Sequence, residues 1–164
     1  MFAFLKKKSE EVGEQYVCSP ADGKIIPLES VEDKIFSSKM MGDGFAVEPA
    51  NGTIVAPISG ILETVFPTGH AFGIKAKNGE EVLVHIGIDT VELEGKGFSV
   101  KAKEGARVKQ GDEIVIVDLD LVADAGYQTV TMVILTNDSF GITGFQNKDA
   151  TVERGTEILC MEKR

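Results

Sequence analysis

Beyond Tyr16 the apolar residues of this chain come in short runs, broken by Gly, Pro, Asn and Asp. The runs at 24–28, 44–47, 53–57, 61–66, 71–76, 81–88, 98–102, 113–117, 129–135 and 157–161 are rich in β-branched and aromatic residues. That composition suits pleated, half-buried strands. Helical periodicity is scarce. Residues 119–126 predict one short helix with Asp118 as its N-cap. Residues 31–41 have room for a helical turn, weakened by Ser37 and Ser38. The pattern predicts an all-β protein, a compact antiparallel β-sandwich or barrel with short helical turns. It divides the chain into a flexible tail over 1–15 and one domain over 16–164.

Two echoes run through the domain. Pro20-Ala-Asp-Gly23 returns 37 positions later as Pro57-Ile-Ser-Gly60. The set Ala106, Val108, Gly111, Glu113, Ile114 returns 44 positions later as Ala150, Val152, Gly155, Glu157, Ile158. Each describes a turn feeding a strand, with glycine where φ turns positive. The echoes are too few for a solenoid and are expected to mark duplicated strand–turn geometry.

Between the runs at 71–76 and 81–88 lies Asn78-Gly79, a strong hairpin signal. A two-residue loop there pairs positions whose numbers sum to 157, so that Lys77 faces Glu80 and Phe72 faces His85. His70, Phe72 and His85 then share one face of the sheet. A three-residue loop would slip the register by one and put the two histidines on opposite faces.

Composition narrows the function. The chain has 164 residues with a formal charge of −9, which excludes a general nucleic-acid binder. Cys18 and Cys160 form no metal motif and are expected as reduced thiols in a cytoplasm. No apolar run reaches the ~20 residues of a membrane span. At the N-terminus Phe2, Phe4 and Leu5 precede Lys6, Lys7 and Lys8, the reverse of a signal peptide. This tail is expected to make at most weak contact with an anionic membrane surface. There is no Gly-x-Ser-x-Gly elbow, P-loop or dinucleotide fingerprint.

His70 and His85 are the only histidines of the chain. Thr68 and Gly87 stand two positions from them, placed to hydrogen-bond a ring nitrogen and choose the tautomer. Asp89 follows on the same side. Two chemistries are open. Two imidazoles make half a zinc site, completed only by further ligands. A neutral imidazole is also a nucleophile, and a second one beside it can hold an anion, as phosphoryl transfer requires. Without a nucleotide site, the phosphate has to come from another protein.

The segments Thr68-Gly-His-Ala-Phe72, Val84-His-Ile-Gly-Ile-Asp-Thr-Val91 and Gly95-Lys-Gly-Phe98 resemble the IIA component of the glucose-type bacterial phosphotransferase system. Further matches are Met41-Gly-Asp-Gly44, Val55-Ala-Pro57 and the segment 105–111, so the resemblance runs from about Tyr16 to the C-terminus. It implies a β-sandwich of duplicated hybrid motifs with a shallow site on one face. It implies that His85 accepts a phosphoryl group on Nε2 from phospho-HPr and passes it to a IIB domain of a sugar permease. This is phosphotransferase chemistry through a phosphohistidine. His70 is implied to steady the phosphate, Thr68 to orient His70, and the Gly87 carbonyl to orient His85. Asp33 and Asp89 match acidic positions that flank the family's site and meet a basic partner. Ile35, Phe36, Met40, Met41, Phe66, Phe72 and Val91 are candidates for an apolar ring that keeps water from the phosphoimidazole. Lys34 stands where the family more often has an apolar residue. The expected protein is a cytoplasmic monomer that needs no cofactor, with a zinc ion at His70 and His85 only in a partner's interface. Two rivals are a regulatory binding module switched by phosphorylation and a zinc-dependent hydrolase of related architecture.

Overall fold

Turns rich in glycine set the strand ends of this protein, whose computed structural model describes residues 15–164. The tail over 1–15 lies, but for Gln15, outside the described residues. The largest sheet has eight antiparallel strands. Their order is β13 (Thr151–Val152), β2 (Gly23–Pro27), β3 (Gly44–Pro49), β11 (Thr131–Leu135), β7 (Glu81–Ile86), β6 (Ala71–Lys75), β5 (Gly60–Val65) and β9 (Arg107–Val108). A three-stranded sheet joins β1 (Gln15–Cys18), β14 (Glu157–Lys163) and β12 (Phe140–Phe145). Another joins β4 (Thr53–Val55), β10 (Glu113–Val117) and β8 (Phe98–Val100). Helix α1 is the single turn Lys34–Ser37, and α2 is Leu119–Asp124, capped by the Asp118 carboxylate on the Leu121 N–H as expected. The all-β sandwich expected from the pattern is the fold observed.

Alternation divides the buried residues into two clusters. Phe45, Val47, Phe72, Val84 and Val133 point from the large sheet into the main core, against Ile54, Ile114 and Leu159 of the smaller sheets. On the opposite face Ala46, Met132 and Ile134 pack with Leu28, Val31, Phe36, Ile88 and Val130. Strands β3 and β11 are therefore buried on both sides. Their near-continuous apolar sequences, GFAVEP and TMVIL, are the signature of such strands. The second cluster forms the floor beneath α1.

The two echoes are a pseudo-twofold construction. Cys18 N–H donates to the Pro57 carbonyl at 2.9 Å and Val55 N–H to the Pro20 carbonyl at 2.8 Å. Ser19 N–H reaches Thr156 and Ala56 N–H reaches Asp112. β13 pairs with β2 as β9 pairs with β5. The turn glycines Gly111 and Gly155 have φ of 96° and 91°.

Glu80 is an anomaly of the core. It is 1 % exposed, stands just before β7, and neither carboxylate oxygen has a hydrogen-bond partner among the described residues. An unpaired buried acceptor costs about 1–3 kcal/mol. Glu80→Met is expected to raise stability by about that amount, read as the urea midpoint at constant m-value. A lower midpoint would show that the carboxylate is partnered.

Candidate functional site

The hairpin that carries the histidines differs from the expected one. Ala71 faces His85, Phe72 faces Val84 and Lys75 faces Glu81, one residue out of the predicted register. The reason is the turn. Ala76 N–H donates to the Glu80 carbonyl and Gly79 N–H to the Ala76 carbonyl, closing a three-residue loop with Gly79 at φ 101°. Asn78 keeps a negative φ, whereas a two-residue type I′ turn needs both central residues positive.

The slip does not separate the imidazoles. His70 precedes β6, at a bend where Gly69 has φ 73°, so strict alternation does not reach it. Its ring swings to His85's side, and the two ring centroids are 5.1 Å apart with planes at 81°. Phe72, in contrast, obeys the new register and is fully buried in the main core. It is not part of an apolar ring beside the histidines.

Each imidazole is held at Nδ1. His85 Nδ1 is 2.9 Å from the Gly87 carbonyl oxygen. A carbonyl only accepts, so Nδ1 carries the proton and Nε2 carries a lone pair. Thr68 Oγ1 lies 2.5 Å from His70 Nδ1. The Gly87 carbonyl is aimed by a backbone at φ 79°, where Gly87 N–H is pinned to the Val130 carbonyl at 2.9 Å. His85 faces Met132 across β11, at the margin of the second cluster. Phe36 lies against it, centroid to centroid 5.0 Å, and Phe66 meets His70 edge-on at 5.3 Å.

Burial governs protonation. His70 is 4 % exposed, and burial followed by the neighbouring His85 pulls its pKa from 6.5 to about 4. Burial also lowers His85, while the Gly87 carbonyl, Asp33 and Asp89 act in the opposite direction. Both rings are thus neutral at pH 7. Asp33 caps α1, accepting from Ile35 N–H at 2.9 Å. Asp89 sits at φ 61° before a 3₁₀ turn over Thr90–Leu93.

Both depressed pKa values make the unfolded chain the better proton binder as pH falls below 6.5, down to about 4 for His70. The stability contributed by the neutral pair is complete above the ordinary imidazole range and is lost downward through that window. His70→Gln is expected to flatten the decline of urea midpoint between pH 7 and 4.5. A decline parallel to wild type would mean that His70 titrates normally.

Of the apolar candidates, Ile35 is 52 % exposed, Met40 78 %, Met41 40 %, Phe66 39 % and Val91 48 %. Phe36 is buried and contributes a tilted ring contact to His85 rather than open surface. Lys34 is exposed on α1. Among the described residues no group of three or more His, Cys, Asp or Glu could hold a metal ion. Cys18 and Cys160 are both buried, and burial raises Cys18 to about 11. Sequence reasoning placed neither Met132 nor Gly69 at the site. A twin-buried β11 and a glycine just before His70 were the available signals.

Residues 15–140 match the family described as phosphoenolpyruvate-dependent sugar phosphotransferase system, EIIA 1. The chain belongs to that family. It is 42% identical to a PTS system glucose-specific EIIA component of Halalkalibacterium halodurans, covering 96% of this chain and 92% of the relative. A PTS system glucose-specific EIICBA component of Streptococcus pneumoniae is 58% identical over 121 residues, 74% of this chain but 17% of that much longer one. Among solved structures, glucose permease IIA of Mycoplasma capricolum superimposes with a TM-score of 0.84 at 41% identity, covering 90% of this chain and 95% of that one. As an EIIA protein the chain is a phosphocarrier in sugar uptake and acts through a phosphohistidine. None of these relatives supports a zinc hydrolase or a mainly regulatory module.

Proposed function

We propose that His85 is the phosphate-bearing residue, charged by phospho-HPr and discharged to the IIB domain of a glucose permease. The observation that carries this is the 2.9 Å bond from His85 Nδ1 to the Gly87 carbonyl, which leaves Nε2 as a free lone pair. The Nε2–P bond forms as the donor's N–P bond breaks. The ring becomes a phosphoimidazolium whose Nδ1–H still donates to the Gly87 carbonyl. Asp33 and Asp89 favour that positive charge. His70, with Thr68 donating to its Nδ1, presents Nε2–H to the phosphate oxygens. Ile35, Met40, Met41, Phe66 and Val91 supply the apolar surface on which partners dock, and removal of water there protects the labile N–P bond. The glucose preference rests on the names of the relatives.

No resident cofactor is needed. A zinc ion on the two imidazoles requires ligands from a docked partner, since the pair supplies two of the four that zinc takes. The setting proposed is the cytoplasm, and no helix among the described residues is long and apolar enough to cross a membrane.

The test is incubation with phosphoenolpyruvate, enzyme I and HPr, followed by intact mass. A single acid-labile adduct of about 80 Da is expected, one phosphoryl group. Peptide mapping should place it on the segment holding His85. No adduct, or one mapped to His70, sinks the assignment.

A further inference from the structure

Four of the seventeen lysines and arginines of this acidic chain converge on one cleft that neither histidine lines. The register explains how. Lys75 and Arg107 both pair with Ile61, on β6 and β9 either side of β5. Lys77, Ser59 and Lys109, just past the ends of these strands, line the same cleft. The cleft therefore has a row of two cations on either side, at Lys75 and Arg107 two strand spacings or ~10 Å apart. Between them runs a floor of Ile61, Gly60 and Ser59. A side chain at Gly60 would meet the Lys75 carbonyl at 2.3 Å, so the floor stays low. The cleft holds about 550 Å³, within the range of small-molecule sites. Ser59 Oγ accepts from Gln110 N–H at 2.8 Å, leaving its own hydroxyl proton to donate.

No ion pair neutralises these cations among the described residues. Glu81 faces Lys75 across β7, and the Asp112 carboxylate is engaged by the Lys109 backbone N–H. The pseudo-twofold supplies an internal control. The corresponding place between β3, β2 and β13 has Glu48 for Lys75, Lys24 for Ile61, Thr151 for Arg107, Asp22 for Ser59 and Glu153 for Lys109. There Asp22 is closed off by Arg154 at 3.0 Å. The same backbone therefore carries acids and a closed ion pair in one half and open cations in the other. The charge of the cleft belongs to its residues and is not demanded by the fold.

We propose that this cleft is an anion site, taking a small molecule with two phosphate-type groups, one on each row. Its polar or apolar body lies over Ile61 and Gly60, with the Ser59 hydroxyl as a neutral donor. Lys75 is four residues along β6 from the partner of His85, ~13 Å away, so a ligand here leaves the imidazoles free. Attraction between groups this exposed falls with ionic strength.

Amide chemical shifts and calorimetry with a hexose bisphosphate test it on the full chain. Saturable binding near or below about 1 mM is expected, with shifts confined to 59–61, 75–77 and 107–109. Arg107→Ala and Lys77→Ala, one in each row, should each weaken it by about tenfold. Phosphorylation by phospho-HPr should stay at the wild-type rate in both variants. Inorganic phosphate binding as tightly as the bisphosphate overturns the two-row site. So does a saturable shift at Asp22 and Glu48, or the absence of saturation. Retention on anionic phospholipid vesicles without bisphosphate binding overturns it in favour of a membrane contact.

Discussion

His85→Ala protein incubated with phosphoenolpyruvate, enzyme I and HPr is expected to take up no phosphate, while His70→Gln takes it up and hands it on slowly. The two rings sit 5.1 Å apart but are not interchangeable. His85 donates its Nδ1–H to a carbonyl and so offers a lone pair at Nε2. Alanine removes the Nε2 lone pair that this bond leaves available. Glutamine at 70 keeps an N–H near the position of Nε2, so a phosphate can still be steadied. It cannot gain a proton. With His85 as the proposed phosphate carrier, a dianion beside His70 is expected to draw that ring's pKa up from about 4, so that an imidazolium stabilises charge as the phosphate leaves. Loss of such a group costs on the order of 10²-fold or more in rate. Single-turnover donation to a IIB domain should fall by that factor, with acceptance changed by no more than about threefold. Equal losses at both steps would remove the division of labour, and an adduct on His85→Ala would remove the assignment itself.

Gly87→Ala is expected to damage both stability and acceptance. The residue has φ 79°, and an added Cβ would lie 2.4 Å from Thr90 Cγ2 and 2.7 Å from the Gln128 carbonyl oxygen. Thr90 is buried and tied by its hydroxyl to the Ile86 carbonyl, so it cannot retreat freely. Left-handed backbone costs an L-residue about 1–2 kcal/mol, and overpacking about 1–3 kcal/mol more. Urea unfolding should show a loss of roughly 2–5 kcal/mol, the sum of those two costs. The backbone shift moves the carbonyl that orients His85. A displacement near 1 Å lowers acceptance by on the order of 10²-fold, measured at a temperature where the variant remains folded. Full stability with wild-type acceptance would mean that the loop relaxes without moving the carbonyl.

Much of this frame could be read from the chain because its strands carry their own punctuation. β10 came out with its bounds, and α2 came with its cap, since Asp118 precedes an apolar periodic stretch. β12 was missed. Its sequence FGITGF has two glycines and reads as turn, yet β14 alongside holds it extended. β9 and β13 are two residues each, too short for any periodic signal. The histidine pair was legible, but its geometric reason was not. Asn78-Gly79 fits both a two-residue turn and the first turn of a three-residue loop, and only tertiary contact decides. Asn137 Nδ2 donates to the Gly79 carbonyl at 2.8 Å, and the Phe140 ring lies beside the glycine. The slip sent Phe72 to the core, while Gly69 turned His70 back to its partner. Phe36 was ambiguous for a related reason: its ring belongs to the second cluster and also packs against His85.

The pairing of β1 with β14 has a consequence for modularity. Gln15 lies opposite Met161 in adjacent antiparallel strands, so the two ends of the domain leave the same sheet as neighbours. The first and last strands of the described fold therefore open on one side of it. Such a unit can be spliced into different molecular architectures as a cassette, with its chemistry intact and its orientation set only by the connecting segment.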